Sequence, residues 1–516
     1  MAGTLRAGPG DAVPLLRARL QRPPHPLRRG LCARRGRLSG AGREWRRDDA
    51  VPAGSRAAPR ARRAHPRLRR AHAAAPVLRA EGRAVRRRAG CGGPSHLVGR
   101  GRDRRHGAAA DGEGRAVSGP LDGVRVLDLS AVVVGPICTH VLCEHGAEVI
   151  KVEAPTGDLL RHLAGKGRSA GMNGKFLNFN RGKRSLAIDL KKPAGIAALR
   201  RVAETVDVFV TNIRPDAQAR LGVDADALRA IAPRLIHCSI TGFGSGGPYA
   251  GRPAYDTVIQ GAAGVAGAFA ASTGEPRYTP FLVADHTVGL IAAQMIGFAL
   301  FRRERTGKGE AIEVPMFENM AAYIMQEHLG AHSFRPPLGP PGDHRVLSPD
   351  GKPLPTKDGY ICISANTDAQ AHAFFEAIGR PELKTDPRFA TIAQRVQHTK
   401  EYFHIRATSL GGRTTAEWLE ILDRMDVPAS PYNTLGSLVE DPHLVAVGMV
   451  REEEHPTEGP TWAIGAPNRF SGGDAPPRPP APRLGADGAA VLAEAGLDAA
   501  EIDALRRDGV LVEGGP

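Results

Sequence analysis

The stretch VRVLDLSAVVVGPICTHVLCEHGAEVIKVE, residues 124–153, decides the fold. "VRVLDL" (124–129) is an apolar run of strand length. "GPICTHVLCEHG" (135–146) reads as a helix, with Pro136 suited to the first turn and Gly146 to the stop. "AEVIKVE" (147–153) is a second strand. The alternation continues through strand "RSLAIDL" (184–190), helix "PAGIAALRRVAETV" (193–206) and strand "DVFVTNI" (207–213). Helix "DADALRAIA" (224–232) and strand "RLIHCSI" (234–240) follow. Strands and helices alternating at this spacing predict an α/β fold with a parallel, doubly wound sheet. Ligands in such folds sit at the carboxyl ends of the strands.

Several familiar chemistries are missing from these turns. "SAVVVGPICTH" after the first strand lacks G-x-G-x-x-G, and the "GKG" of "RTGKGE" has neither the Ser/Thr nor the earlier glycine of a phosphate loop. In "GFGSGG", Phe243 stands where a nucleophile elbow would need its first glycine before Ser245. Dinucleotide, ATP-hydrolysing and serine-hydrolase readings fall away.

The formal charge of +16 is unevenly spread. Residues 1–117 hold 29 Arg, no Lys and 8 acidic residues, a net of +21, so the remainder is mildly acidic at −5. This leading segment of Arg, Ala, Gly and Pro has no helical or strand period and too little apolar surface to offset its ordering entropy. As a nucleic-acid tail it lacks lysines and interleaved aromatics. As a transit peptide it is overlong and broken by prolines. The preferred expectation is a start site called too far upstream in GC-rich DNA, with Val117 as the true start if its codon is GTG. None of the six cysteines forms a CxxC pair or stands at zinc-finger spacing to histidine, so no metal site is expected. Without a secretory signal or an apolar run of about 18 residues, the chain reads as cytoplasmic, reduced and soluble, with no membrane or nucleic-acid partner.

In "FLVADHTVGLIAAQ" (281–294), Asp285 stands before a long helix, "HTVGLIAAQMIGFALFRRER" (286–305), that is apolar almost all round and so expected to be buried. Gly307 is its natural stop. Locally, Asp285 is first of all a favoured N-cap. Beyond it, "SFRPPLGPPGDHRVLSPDGKPLPTKDG" (333–359) is a loop-rich linker. "YICISANT", "DAQAHAFFEAIG" and "TTAEWLEILDRM" form a smaller α/β unit, the last with Thr414 and Glu417 at capping-box spacing. "APPRPPAPRLG" (475–485) reads as a Pro-rich surface arm and residues 487–509 as a helix pair.

Motifs in order, "PLDGVRVLDLS", "GAEVIKVE", "FNRGKRSLAIDLK", "VFVTNIRP", "SITGFGSGGPY", "YDTVIQ", "TGKG", "TKDGYI", "DPRFAT" and "GMV", resemble family III CoA-transferases from residue 119 to about 510. Formyl-CoA transferase and carnitine CoA-transferase are members, and α-methylacyl-CoA racemase is a relative. The resemblance implies a Rossmann-like large domain, discontinuous in sequence, with an inserted small α/β domain, and an interlocked homodimer. The expected divisions are 1–117 (extension), 118–335 (large domain), 336–430 (small domain) and 431–516 (return to the large domain).

Asp285 falls on the family's catalytic aspartate. A carboxylate, anionic at pH 7, can attack a thioester carbonyl and release CoA thiolate. The implied partners are an acyl-CoA donor and a carboxylic acid acceptor; CoA enters as substrate, and no tightly bound cofactor is expected. A dual role is also expected for Asp285: helix cap, and carboxylate beside free N–H groups able to hold an oxyanion. By resemblance, Ile188, Lys191, Asn212, Ile213 and Arg220 line the CoA nucleotide, while Val133, Tyr255 and Asp256 lie beside the thioester. Val133 replaces a glutamine of formyl-CoA transferase, and Ala154 an arginine that grips CoA there. The alternative reading is an acyl-CoA racemase. It is disfavoured by Tyr255 where that relative has a histidine, since a phenol of pKa about 10 is a poor base at neutral pH. His286 is taken as a bystander. The acids exchanged are not legible.

Overall fold

The computed structural model describes residues 119–163 and 165–514. The Arg-rich segment and the readings placed on it lie outside these residues.

The main sheet has β1 (Arg125–Leu129), β2 (Glu148–Glu153), β3 (Arg184–Ile188), β4 (Val208–Thr211), β5 (Ile236–Thr241) and β6 (Ala311–Pro315). Their spatial order is 3-2-1-4-5-6, every pairing is parallel, and the order reverses between β1 and β4. Period-2 alternation divides their side chains between two cores. Val126, Val208 and Val210 face one with helices Val134–Glu144 and Val283–Thr306, while Leu127, Leu129 and Phe209 face the other with Pro193–Ala203. The helix after β1 begins at Val134 and ends before Gly146, whose φ of 116° suits only glycine.

A second, antiparallel sheet of β7 (Leu354–Pro355), β8 (Tyr360–Ile363) and β9 (Ala429–Pro431) has its own core of Phe374, Phe375, Phe389, Tyr402 and Trp418. Thr414 and Glu417 form the expected capping box. A hairpin, β10 (Val450–His455) and β11 (Gly459–Ile464), was not foreseen. Helices Gly488–Glu494 and Ala499–Arg507 pack on the main sheet, and β12 (Leu511–Val512) pairs antiparallel with β3. The chain thus returns to the first sheet after building the second.

Two expectations are corrected. The Pro-rich arm is not purely a surface feature: Ala481 is buried against Met172 and Phe176. The long helix Val283–Thr306 is not buried all round. One face packs on helix Val134–Glu144, so closely that a Cβ at Gly289 would meet the Val134 carbonyl oxygen at 2.7 Å. The other leaves Leu290, Phe298 and Phe301 more than half exposed. By length and composition this helix could cross a membrane, but half of its apolar window lies inside the protein.

Candidate active site

The site is organised by the turn after β1. Asp128, fully buried, accepts from Thr139 Oγ1 at 2.6 Å and Lys183 Nζ at 3.1 Å, and is hydrogen-bonded by the Ser130 hydroxyl. Burial would raise its pKa, but Lys183 and Lys151 hold the carboxyl below its usual range. Lys151 pairs with Asp158 at 2.8 Å and donates to the Ser130 carbonyl at 3.0 Å. Asp158 in turn accepts from the Val132 N–H at 3.0 Å. Asn212 closes the other side: its Oδ1 accepts from Ala131 N at 3.0 Å and its Nδ2 donates to Ala131 O at 2.9 Å. Held in this way, Val132 adopts φ 70°, a strained conformation for a β-branched residue.

Two clefts flank this turn where the strand order reverses. One, of about 550 Å³, lies at the carboxyl ends of β1, β2 and β3 and is lined by Leu129, Ala154, Ile188 and Lys191. The other, of about 750 Å³, lies at the ends of β1, β4 and β5 and is lined by Val133, Asn212, Thr241, Tyr255 and Asp285. Ala131 and Ile213 belong to both.

Asp285 is the third residue of the long helix, not its cap; the N-cap position is Leu282. The capping is supplied from another helix. Asp256 heads helix Asp256–Ala262, and its Oδ1 accepts from Ala284 N at 2.8 Å and Asp285 N at 3.1 Å. Its Oδ2 accepts from Gln260 Nε2 at 2.5 Å. The Val283 N–H donates to the Phe281 carbonyl and that of His286 to Leu282. No leading N–H is therefore free for an oxyanion, and that expectation is corrected. The Asp285 carboxylate, 8% exposed, has no hydrogen-bond or ion-pair partner among the described residues and lines the larger cleft. Burial first, and the Asp256 charge second, push its pKa up to about 7, against a lowering by Lys175. Its pKa thus stands well above the ordinary carboxylate range that its residue type suggests.

The other expected site residues divide. Val133, Asn212, Ile213 and Tyr255 share the larger cleft with Asp285, and Ile188 and Lys191 line the smaller one. Asn212 spends its side chain on Ala131. Arg220 lines neither cleft; it is exposed and pairs with Asp216 at 3.1 Å. Asp256 is buried behind Asp285 and outside both linings. His286 lies on the helix's open side with its ring edge-on to Phe179. Sequence reasoning missed Lys175 and the buried charges. Lys151 carried a signal: a lysine amid apolar residues of a central parallel strand must find a partner inside. Among the described residues no His/Cys/Asp/Glu cluster could hold a metal ion.

The sequence matches the description "CoA-transferase family III" over residues 121–488. A succinate–glutarate CoA-transferase of Agrobacterium fabrum is 34% identical over 388 residues, spanning 73% of this chain and 95% of that protein. An acetyl-CoA:oxalate CoA-transferase of Acetobacter aceti is 33% identical over 381 residues, spanning 73% and 96%. A crystal structure of a CaiB/BaiF family protein from Brucella suis superposes with a TM-score of 0.63 at 32% identity, over 73% of this chain and all of that one.

Proposed function

The chain belongs to CoA-transferase family III and is a CoA-transferase, and on that premise we propose that it moves CoA from an acyl-CoA to a free carboxylic acid through Asp285. A carboxylate oxygen of Asp285 attacks the thioester carbonyl carbon, the C–S bond breaks, and CoA leaves as thiolate. The thiolate attacks the Asp285 side-chain carbonyl of this mixed anhydride and expels the donor acid, leaving an aspartyl-CoA thioester. The acceptor carboxylate attacks that thioester, and the thiolate then takes the new acyl group and frees Asp285. Each thioester replaces another, so no ATP is consumed. The observation that carries this reading is a nearly buried carboxylate with no partner among the described residues, facing a cleft large enough for a substrate.

The paired clefts suit CoA lying across the β1 turn. Its nucleotide occupies the side of Ile188 and Lys191 and its thioester the side of Asp285, with Ala131 and Ile213 between. The acids in the relatives' names (succinate, glutarate, oxalate) are dicarboxylates. A small dicarboxylate is the acceptor favoured here. Arg252 lines the larger cleft, its guanidinium lies 4.4 Å from the Tyr249 ring centroid, and it has no carboxylate partner among the described residues. It is a ready donor to a second carboxylate.

A homodimer is part of the same reading, since the open apolar stripe of Leu290, Phe298 and Phe301 invites a second copy. Sedimentation that finds only monomer at micromolar concentration would overturn it.

The decisive experiment incubates the protein with succinyl-, acetyl- and formyl-CoA plus free acids and reads exchange and covalent adducts by mass spectrometry. Exchange with an adduct on the peptide containing Asp285 is expected, and both are lost in Asp285→Ala and Asp285→Asn. Wild-type turnover in either variant would sink the assignment.

A further inference from the structure

An aspartate in the first turn of a helix ordinarily folds its carboxylate back onto the free N–H groups there, which stabilises the anion and blunts it as a nucleophile. Asp285 occupies such a position, yet the N–H groups of Ala284 and Asp285 are already taken by Asp256 Oδ1. We propose that Asp256 is a positioning residue for Asp285: by holding these two N–H groups with a carboxylate it denies them to the nucleophile's own carboxylate, sets a like charge behind it, and leaves it turned into the cleft with no partner among the described residues. This rests on the reading of Asp285 as the nucleophile.

Asp256 is itself well fixed. Gln260 Nε2 donates to its Oδ2, and Gln260 Oε1 accepts from Thr279 N at 2.9 Å. A buried, hydrogen-bonded carboxylate thus stands behind a second one. Like charge disfavours ionisation of the front group, making it more basic. The other charged groups near Asp285 are few. Lys175, from helix Gly174–Asn180, acts in the opposite sense. His286 is its neighbour in sequence, and Tyr255, Arg214, Asp216, Arg252 and Glu313 line the same cleft, Asp216 being paired with Arg220 at 3.1 Å. Glu313 is committed to Ser245, whose hydroxyl donates to it at 2.8 Å. Among the described residues, Asp256 is the only carboxylate that joins the charge acting on Asp285 to a grip on the Asp285 backbone.

The test is the pH profile of adduct formation on Asp285, measured on the full chain by quenched-flow mass spectrometry. A parallel titration follows the Asp285 carboxyl carbon by NMR, assigned by its loss in Asp285→Asn. Wild type is expected to show a midpoint near neutrality. Asp256→Asn keeps an oxygen to accept the two N–H bonds but removes the charge. Its midpoint should fall by about one pH unit in both measurements. Asp256→Ser, a shorter neutral cap, should fall likewise and serves if the asparagine variant does not fold. A rate lowered equally at every pH with an unmoved midpoint would make Asp256 a structural support only and overturn the proposal. So would failure of both variants to fold. Absence of any adduct in wild type would instead refute the nucleophile reading, while the NMR titration would still report on Asp256.

Discussion

Replacing Asp285 by asparagine should stabilise this enzyme, and do so more as pH rises. Burial and Asp256 lift the Asp285 pKa from 3.8 to about 7. A carboxyl raised on folding contributes stability that is full below its unfolded pKa and lost as pH climbs through its folded pKa. With these values the ionisation penalty is about 2 kcal/mol at pH 5 and levels off at about 4 kcal/mol by pH 8. Asparagine has nearly the same shape and no charge, so it escapes the penalty. Every other titrating group is common to both proteins, and the difference between them isolates residue 285. Calorimetric scans of wild type and Asp285→Asn from pH 4.5 to 8.5 should show a gap in Tm that opens across this range and flattens above about pH 8. Even half the stated magnitude would move Tm by a few degrees. A gap independent of pH, or one that closes as pH rises, would refute the account of Asp285 as a buried carboxyl kept near neutrality. The expected outcome couples higher stability to lost activity, which is the mark of a group retained for chemistry.

Gly289→Ala should push helix Val283–Thr306 off helix Val134–Glu144, since the added Cβ meets the Val134 carbonyl oxygen at 2.7 Å and Ile137 Cγ2 at 2.9 Å. A loss of about 1–3 kcal/mol in unfolding free energy, with a fall in exchange rate, is expected, and unchanged values of both would refute the close approach. Lys183→Met strands the fully buried Asp128, and a loss of about 3–5 kcal/mol is expected. The double variant Asp128→Leu with Lys183→Met should recover most of that stability, whereas equal losses in single and double would show the pair itself to be stabilising. Initial rates of adduct formation in wild type should rise with pH around a midpoint of about 7, as Asp285 ionises. A flat profile from pH 5.5 to 8.5 would place the titrating group elsewhere.

Much of the fold was legible because the strands of a parallel sheet are short apolar runs with helices between them, and β1 to β5 fall where those runs lie. The hairpin of β10 and β11 was hidden by its composition. Glu452, Glu453 and Glu454 show no apolar–polar alternation, and Glu453 is anchored by Arg181, 272 residues away in sequence. At the site, Asp285 was singled out by the resemblance of the surrounding motifs, while its local setting was misread. An aspartate ahead of an apolar helix reads as a cap because local rules assume that the nearest oxygen takes the free N–H groups. Here the oxygen comes from Asp256, 28 and 29 residues before the N–H groups it accepts. The open stripe on the long helix was equally out of reach, since an all-round apolar pattern does not say whether one chain or two will cover it.

The buried charges beneath the β1 turn pose a question of magnitude. Asp128, Lys151, Glu153, Asp158, Arg161 and Lys183 all lie within the protein interior, with equal numbers of each sign. Apolar residues of the same volume would hold the sheet as well or better, because desolvation of such ions consumes most of their mutual attraction. Stability therefore does not explain them. Their contacts do: Lys151 and Asp158 fasten Ser130 and Val132, Lys183 grips the Pro136 carbonyl at 3.0 Å, and Asn212 fastens Ala131. A turn that keeps Val132 in a strained conformation, at a cost of about 1–3 kcal/mol, needs such over-determination to stay put. The turn separates the two clefts, and on the proposed reading a CoA thioester reaching Asp285 from the side of Ile188 and Lys191 would pass over it. An apolar core would let the turn relax into an ordinary helix entry. On the proposed reading the ion network fixes the saddle on which the thioester carbonyl would meet the carboxylate, and that positional demand gives a physical reason for its presence.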